Sequence, residues 1–236
     1  RKSMIPKIIH YVWVGGNPKS KTIQTCLASW QKRLPDYEII EWNEDKLDLN
    51  ANKYVKQAYQ AKKWAFVSDY VRAKALYEMG GIYLDTDVMV LKDFAGLLND
   101  RAFIGFENND YLSAAIIAAE KGHPFMADIL HYYDDLDFAF DQKDQLAGVN
   151  SLSVTEILKE KYGLKTGNQE QVLKEGIHVY PDGILCNPSP QSRSIHLFTG
   201  TWLEGKNSWK HDLVTFLKLH IRSQKTAKIY YQLFRR

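Results

Sequence analysis

The sequence predicts a single α/β domain built around a mostly parallel sheet. Short apolar runs alternate with longer segments of helical periodicity, and glycine or proline separates most of them. The chain has 236 residues, of which 45% are hydrophobic and 25% are charged, so it can bury one sizeable core. Strands that alternate with helices pair in parallel, and ligands then bind at the carboxyl ends of the strands.

The chain opens with a strand followed by a helix. Residues 7–14 form a continuous apolar run that ends in a double glycine, which predicts a buried strand. Helical periodicity then extends over residues 20–33 and stops before Pro35. Apolar and polar residues alternate over 37–42, which predicts a second strand.

The following segments continue this alternation. The predicted elements are helices at 51–61 and 64–79, an interrupted strand at 82–91 and a strand at 102–106. Residues 114–119 fit either a strand or a helix. Pro124 opens a further helix that extends to about residue 133.

Two acids follow a double glycine at residues 80–88, where the chain reads GGIYLDTDV. In an extended strand, Tyr83, Asp85 and Asp87 would share one face. Carboxylates held that close repel each other unless a cation lies between them, which predicts Mg²⁺ or Mn²⁺ bound through oxygen. The alternative is a solvated Asp-Thr-Asp turn, because such tripeptides are common in turns.

A charged pair lies in the helix that precedes this motif. Asp69 and Arg72 are three residues apart, so they share one face of a helix whose neighbouring positions are mostly apolar. A structural ion pair is one interpretation. The other is a ligand site, because inward-facing charges are costly to bury and often serve a ligand.

Three segments, in this order, resemble the DXD-type sugar-nucleotide glycosyltransferases. They read IPKIIHYVWVGG at residues 5–16, SDYVR at residues 68–72 and GGIYLDTD at residues 80–87. Within that group the chain looks like the bacterial capsular polysaccharide enzymes grouped with the yeast initiating mannosyltransferases, which form glycosyltransferase family 32. The clostridial glucosylating toxins share the same core motifs. The resemblance implies the GT-A fold, a Rossmann-like α/β fold, and retention of anomeric configuration.

The resemblance also implies a set of site residues. The metal would be held by Asp85, Asp87 and a late histidine, which in this chain is His196. Asp69 would accept hydrogen bonds from sugar hydroxyls, while Arg72 would neutralise phosphate or grip the sugar. The other implied donor-binding residues are Tyr11, Trp13, Ser68, Tyr83, Asp85, Trp202 and Trp209. Packing in the core is the alternative interpretation for the tryptophans, Tyr83 and His196.

The chemistry assigns roles to these side chains. A nucleoside diphosphate leaves a sugar only when its developing negative charge is stabilised, and a metal ion does this as a Lewis acid. We expect Asp69, Arg72 and Asp87 to be catalytic, with Glu107, which follows the strand at 102–106, as a candidate nucleophile. Attack by an acceptor hydroxyl on the leaving-group face is the alternative mechanism.

These residues predict a metal-dependent, retaining glycosyltransferase that uses Mn²⁺ or Mg²⁺. Its donor would be UDP-galactose or another UDP-hexose, and its acceptor a saccharide or lipid-linked saccharide in capsular or cell-surface polysaccharide synthesis. A GDP-mannose-dependent mannosyltransferase is the alternative donor choice. The alternatives from other classes are a metal-dependent phosphohydrolase or nucleotidyltransferase and a non-catalytic sugar-binding module.

The composition limits which classes of partner we expect and where in the cell we expect the protein. The formal charge of +3 is too small to indicate nucleic-acid binding. Cys26 and Cys186 lack metal-ligand spacing, so we expect two reduced thiols. No window approaches the roughly 20 apolar residues of a membrane span and no signal peptide is recognisable, which predicts a cytoplasmic protein.

The chain divides into three stretches on this interpretation. Residues 1–3 are expected to be an expression remnant before Met4, and residues 4–209 the GT-A-like catalytic domain. Residues 210–236 contain seven bases and the single acid Asp212, with apolar residues at helical spacing. This pattern predicts a basic amphipathic helix that packs on the domain or contacts the inner face of the cell membrane peripherally.

Overall fold

The computed structural model describes residues 4–138, 150–199 and 209–234. Its strands are β1 (Ile8–Val12), β2 (Glu38–Trp42), β3 (Gly81–Leu84), β4 (Val88–Val90), β5 (Ala102–Phe106), β6 (Leu112–Ala119), β7 (Gln171–Val172), β8 (Ile177–Tyr180) and β9 (Ser194–His196). Its helices are α1 (Lys21–Arg33), α2 (Lys53–Gln60), α3 (Trp64–Met79), α4 (Pro124–Asp134), α5 (Asn150–Ile157), α6 (Asp182–Leu185), α7 (Trp209–Leu219) and α8 (Gln224–Phe234).

A seven-stranded sheet forms the centre of the molecule, in the order β2-β1-β3-β6-β5-β8-β7. β1 pairs in parallel with β2 and β3, and β5 pairs in parallel with β8. β6 runs antiparallel to both β3 and β5, so β5 and β8 point the same way as β1, β2 and β3. β7 is antiparallel to β8. Five of the seven strands therefore share one direction, and the predicted mostly parallel α/β sheet is confirmed.

Helices cover both faces of this sheet because successive strand residues point to opposite sides. Ile82 and Leu84 of β3 pack in one buried cluster with Trp30 of α1. Tyr83, between them, packs in a second cluster with Phe66 of α3. The carboxyl ends of β1, β3, β5 and β8 meet at one edge of the sheet, where ligands bind in folds of this class.

The interrupted strand at 82–91 is broken by a turn. β3 ends at Leu84, β4 begins at Val88, and the amide of Val88 donates to the carbonyl of Asp85 at 3.0 Å. The extended arrangement that was expected to align Tyr83, Asp85 and Asp87 on one face is therefore wrong. The two acids instead lie in a turn at the carboxyl end of β3.

The end of α3 shows why β3 begins at Gly81. Gly80 has φ +70°, and a Cβ there would lie 2.8 Å from the backbone nitrogen of Lys121. A left-handed conformation and this close approach favour glycine, so the helix stops and the chain enters β3 directly. α3 itself has the bounds that the sequence predicts.

The basic C-terminal segment differs from its prediction. Two helices, α7 and α8, occupy the region that was expected to form one helix over 210–236. They are separated at residues 220–223, where Ile221 is buried. Within the described ranges, no helix is both long enough and apolar enough to cross a bilayer.

Candidate active site

The Asp-Thr-Asp turn is completed by a strand from far along the chain. β4, which follows the turn, pairs antiparallel with β9, and this pairing places His196 opposite Val88. One ligand atom from each of Asp85, Asp87 and His196 lies within 4.8 Å of the other two. Two carboxylates and an imidazole thus converge at the carboxyl edge of the sheet.

Asp87 is held in its ionised form by the protein itself. Its Oδ1 lies 3.1 Å from Nε2 of His196, and its Oδ2 accepts from the amide and the hydroxyl of Thr199 at 3.0 and 2.9 Å. Burial opposes ionisation, but His196 and Thr199 keep the pKa of Asp87 well below its ordinary value. Burial also disfavours the His196 cation, yet Asp87 raises the pKa of His196 well above its usual range.

Asp85 faces a different positively charged residue, Arg72. The hydroxyl of Tyr83 donates to Oδ1 of Asp85 at 2.8 Å, and Nη2 of Arg72 lies 3.4 Å from the same oxygen. The predicted repulsion between two uncompensated carboxylates is therefore not what the structure contains, because His196 faces Asp87 and Arg72 faces Asp85.

Arg72 links the charged pair of α3 to the acidic turn. Its Nη2 donates to Oδ1 of Asp69 at 3.0 Å and to the hydroxyl of Ser68 at 2.9 Å, while Nη1 donates to the carbonyl of Ala114 at 2.6 Å. The guanidinium carbon lies 4.4 Å from the centre of the Tyr83 ring. Such a fully directed guanidinium is rigid, because each of these contacts fixes its plane.

Asp69 is buried, and Asn150 of α5 lies beside it. Burial raises its pKa to about 7, although the Arg72 charge lowers it and a hydrogen bond from Asn150 also favours the ionised form. Oδ1 of Asn150 and Oγ of Ser113 are buried and have no hydrogen-bond partner among the residues described. Unpaired buried polar atoms are rare, and the one on Asn150 lies beside Asp69.

Asn150 is a site residue that the sequence analysis missed. It begins α5, which follows residues outside the described ranges, and nothing in the local pattern NSLS distinguishes it from an ordinary helix start. α5 is fixed against β6 by hydrogen bonds from the amide of Leu112 to Thr155 and from the amide of Ala114 to Ser151.

Glu107 stands near the cluster on the β5 side. It follows Phe106, and the side-chain amide of Asn187 donates to its carbonyl at 2.9 Å. Burial raises the pKa of Glu107, against the charges of His196 and Lys218. Lys218 comes from α7: its Nζ lies 3.3 Å from the carbonyl of His196 and 4.9 Å from the centre of the Phe198 ring. The sequence analysis did not single out Lys218.

The aromatic donor-binding residues are distributed unevenly. Tyr11 donates to Glu41 and packs edge-on against Trp30, on the α1 side of the sheet. Trp13 is half-buried after β1, and its Nε1 donates to the carbonyl of Asn17 at 2.8 Å. Neither forms a hydrogen bond or an ion pair with the acidic cluster within the part of the chain that the structure describes.

The remaining predicted residues also differ in their placement. Ser68 lies inside the Arg72 network, and Tyr83 contacts both Arg72 and Asp85. Trp209, at the start of α7, is 71% exposed and points to solvent rather than to the cluster. Trp202 lies outside the described residues.

Comparisons with known proteins find glycosyltransferases. Residues 20–104 match the family described as the glycosyltransferase sugar-binding region containing a DXD motif. Inositol phosphoceramide mannosyltransferase 3 of Schizosaccharomyces pombe is 30% identical over 138 residues, which is 55% of this chain and 37% of that protein. Lactosylceramide 4-alpha-galactosyltransferase of Mus musculus is 42% identical over 65 residues, which is 28% of this chain and 17% of that protein.

A solved structure is similar over almost the whole chain. The glycosyltransferase GlyE of Streptococcus pneumoniae TIGR4 superposes with a TM-score of 0.52 at 11% identity, covering 96% of this chain and 64% of that one. This similarity confirms the GT-A fold. The chain spans little more than a third of the length of the S. pombe relative and less than a fifth of the mouse relative.

Proposed function

We infer from the match of residues 20–104 to the glycosyltransferase sugar-binding region containing a DXD motif that the chain carries a glycosyltransferase domain. From this premise we propose that the protein is a metal-dependent, retaining hexosyltransferase that uses a nucleotide sugar. The observation that carries the proposal is the convergence of Asp85, Asp87 and His196 within 4.8 Å, beside the Asp69–Arg72 pair.

The donor atoms of this cluster suit a divalent ion. Two carboxylates and one imidazole supply oxygen and nitrogen ligands, a set that fits Mn²⁺ and also accommodates Mg²⁺. When bound there, such an ion would act as a Lewis acid on the departing diphosphate. The protein contributes the ligand positions, because the β4–β9 pairing fixes His196 against the Asp-Thr-Asp turn.

Arg72, Asp69 and Asn150 would bind and orient the donor. The Arg72 guanidinium is fixed by four hydrogen bonds and places positive charge next to Asp85, where a diphosphate would approach the cluster. Asp69 can accept hydrogen bonds from sugar hydroxyls, and the unpaired Oδ1 of Asn150 offers a further acceptor. Fixed contacts of this kind hold the anomeric carbon in position for attack.

Retention of configuration can follow two routes at this site. In one, a carboxylate oxygen of Glu107 bonds to the anomeric carbon as the bond to diphosphate breaks, and an acceptor hydroxyl then displaces Glu107. In the other, the acceptor oxygen attacks on the leaving-group face, and its proton passes to the departing phosphate. A glycosyl adduct on the peptide that contains Glu107, sought by mass spectrometry after rapid quenching, distinguishes the two.

The names of the relatives guide the choice of donor and acceptor. They include a mannosyltransferase and a galactosyltransferase, so we place UDP-galactose or another UDP-hexose first and GDP-mannose second. Both names contain a ceramide-linked compound, inositol phosphoceramide in one and lactosylceramide in the other. We propose a saccharide or lipid-linked saccharide acceptor, used for cell-surface or capsular polysaccharide by a cytoplasmic enzyme at the inner face of the membrane.

A donor panel tests the proposed function. The purified chain is incubated with UDP- and GDP-hexoses and Mn²⁺, with and without saccharide acceptors, and the products are identified by mass spectrometry. We expect release of nucleoside diphosphate from one donor, dependent on Mn²⁺, and transfer of its sugar when an acceptor is present. Release of nucleoside monophosphate would instead indicate a phosphohydrolase or nucleotidyltransferase, and binding without turnover a sugar-binding module.

A further inference from the structure

The helix α7 has its polar face turned inward and its apolar face turned outward. His211, Thr215 and Lys218 are spaced i, i+4 and i+7, and they face the domain. Lys218 is only 8% exposed and reaches the carbonyl of His196. An amphipathic helix that covers a core normally does the opposite.

The outward face of α7 consists of large apolar side chains. Trp209, Leu213 and Phe216 again follow i, i+4, i+7 spacing, and they are 71%, 47% and 58% exposed. The exposed large side chains of α8 are Ile229, Tyr231, Leu233 and Phe234. We refer to the exposed apolar side chains of the two helices, Trp209, Leu213, Phe216, Ile229, Leu233 and Phe234, as the C-terminal apolar surface. Exposed clusters of this kind usually mark an interaction site.

Packing on the domain does not account for this surface, because other residues anchor the two helices. Ile221 and Ala227 are buried in a cluster with Cys26, Met89 and Ile195. Leu219 and Tyr230 pack partly against the same cluster. Residues 217, 221 and 230 belong to the apolar residues at helical spacing in 210–236, so the sequence pattern alone predicts them on the lipid-facing side. The structure corrects that assignment, because Ile221 is buried and residues 217 and 230 are only partly exposed.

The charge around the surface indicates what it contacts. Between residues 209 and 234 the bases are Lys210, Lys218, Arg222, Lys225 and Lys228, against the single acid Asp212. All of these bases except Lys218 are exposed. Apolar side chains that can enter the acyl region, on helices that also carry an exposed tryptophan and exposed bases, match an anionic bilayer surface. Each base near such a surface strengthens the attraction to anionic lipid, and salt screens it.

We propose that the C-terminal apolar surface docks on an anionic lipid bilayer. The part of this inference that concerns the acceptor rests on the proposed function. α7 carries the docking residues on one side and Lys218 against His196 and Phe198 on the other. Docking therefore holds the candidate metal site of Asp85, Asp87 and His196 at a fixed distance from the lipid surface, as transfer to a lipid-linked saccharide requires.

Vesicle co-sedimentation tests the docking without relying on catalysis. The full chain is mixed with phosphatidylcholine vesicles that contain or lack phosphatidylglycerol, at low and at high salt. The test variant is the double substitution Leu213→Glu with Phe216→Glu. The control is Val172→Glu, which replaces an apolar residue by one glutamate at a position on β7 that is 67% exposed.

We expect wild type and the Val172→Glu control to sediment with the anionic vesicles at low salt and to be released by high salt. The double variant should bind about tenfold or more weakly, with unchanged near-ultraviolet circular dichroism. Equal binding of the folded double variant and wild type would overturn the proposal, as would failure of wild type to bind. Conversion of a wild-type dimer to a monomer by the double variant, without lipid binding, would assign the surface to self-association instead.

The proposed function has a separate readout in the same samples. Release of nucleoside diphosphate from the donor in solution needs no membrane. If wild type releases nucleotide but does not bind anionic vesicles, the docking inference fails and the glycosyltransferase proposal stands. If wild type binds vesicles but no donor is turned over, the proposed function fails while the docking surface remains.

Discussion

His196 and Arg72 give the Asp-Thr-Asp turn two different partners. His196 pairs with Asp87, and Nη2 of Arg72 lies 3.4 Å from Asp85, so each carboxylate faces its own positively charged residue. A change at either acid consequently leaves a largely buried positive group behind. At the scale of single residues, function and stability are therefore coupled at this turn.

Substitution of Asp87 by asparagine tests that coupling. We expect Mn²⁺-dependent transfer by Asp87→Asn to fall at least about 100-fold, because a ligand is lost where charge develops. The free energy of unfolding should also fall, by about 1–3 kcal/mol, because His196 loses its ionised partner. Turnover assays and urea unfolding measure the two effects. The exposed Asp45→Asn is the control, and near-normal turnover of Asp87→Asn would exclude the site assignment.

Two substitutions at Arg72 distinguish a purely structural role of the Asp69–Arg72 pair from a role in donor binding. Arg72→Ala leaves Asp69 buried without its cation, and we expect a loss of roughly 3–5 kcal/mol in unfolding free energy. Arg72→Lys keeps the charge but loses the fork of hydrogen bonds, so it should fold and bind nucleotide sugar at least about tenfold more weakly. Calorimetry of donor binding provides the comparison. Normal donor affinity in folded Arg72→Lys would show that the pair is purely structural.

Asn150 gives a prediction for the sugar pocket. Its buried, unpaired Oδ1 should accept a hydrogen bond from the donor sugar, so Asn150→Ala should raise the KM for the donor about tenfold. The affinity for the free nucleoside diphosphate should stay the same, because that ligand lacks the sugar. The control is Asn99→Ala, at an exposed position that precedes β5 in the chain. A KM that does not move, or an equal loss of nucleoside diphosphate affinity, would contradict the assignment.

At the scale of elements, the sequence predicted the bounds of helices and strands correctly where the local signals are strong. α3 and β5 have the bounds expected from periodicity and from the glycines that follow α3. The sequence predicted an interruption within 82–91 and offered an Asp-Thr-Asp turn as the alternative, but the extended arrangement was preferred because the run after Leu84 looks extended, while a hydrogen bond from Val88 to Asp85 closes the turn. The break between α7 and α8 was missed because apolar residues keep helical spacing across it, and only tertiary burial of Ile221 reveals the bend.

His178 of β8 contacts an acid from each of two other segments. Nδ1 of His178 lies 3.1 Å from Asp100, before β5, and Nε2 lies 2.8 Å from Glu170, before β7. The hydrogen bond to Asp100 raises the pKa of His178 above its ordinary 6.5, despite partial burial and with further support from Glu170. The folded state therefore binds this proton more tightly than the unfolded state does.

The sign of the pH dependence follows from that shift. The stabilisation by His178 is complete below pH 6.5 and is lost as the pH rises through the raised folded-state pKa. We expect the difference in Tm between wild type and His178→Gln to be largest in mildly acidic buffer and to shrink as the pH rises. Thermal melts across a pH series measure it. A difference that grows with pH would contradict this assignment.

At the scale of the whole molecule, the site depends on contacts that local sequence does not encode. Asp69, Arg72, Asp85 and Asp87 could be predicted because the motifs lie close together in the chain. The placement of His196 follows from the β4–β9 pairing, which brings a distant segment beside the turn. Asn150 and Lys218 escaped prediction because α5 and α7 reach the site only through tertiary packing.

The central claim is that residues from these distant segments hold one divalent ion for a nucleotide-sugar donor. The most direct test is a titration of Mn²⁺ followed by the electron paramagnetic resonance signal of the free ion, with UDP present. Wild type should take up one equivalent, while Asp87→Asn and His196→Gln should each bind Mn²⁺ at least about tenfold more weakly. Uptake by both folded variants equal to that of wild type would contradict the claim.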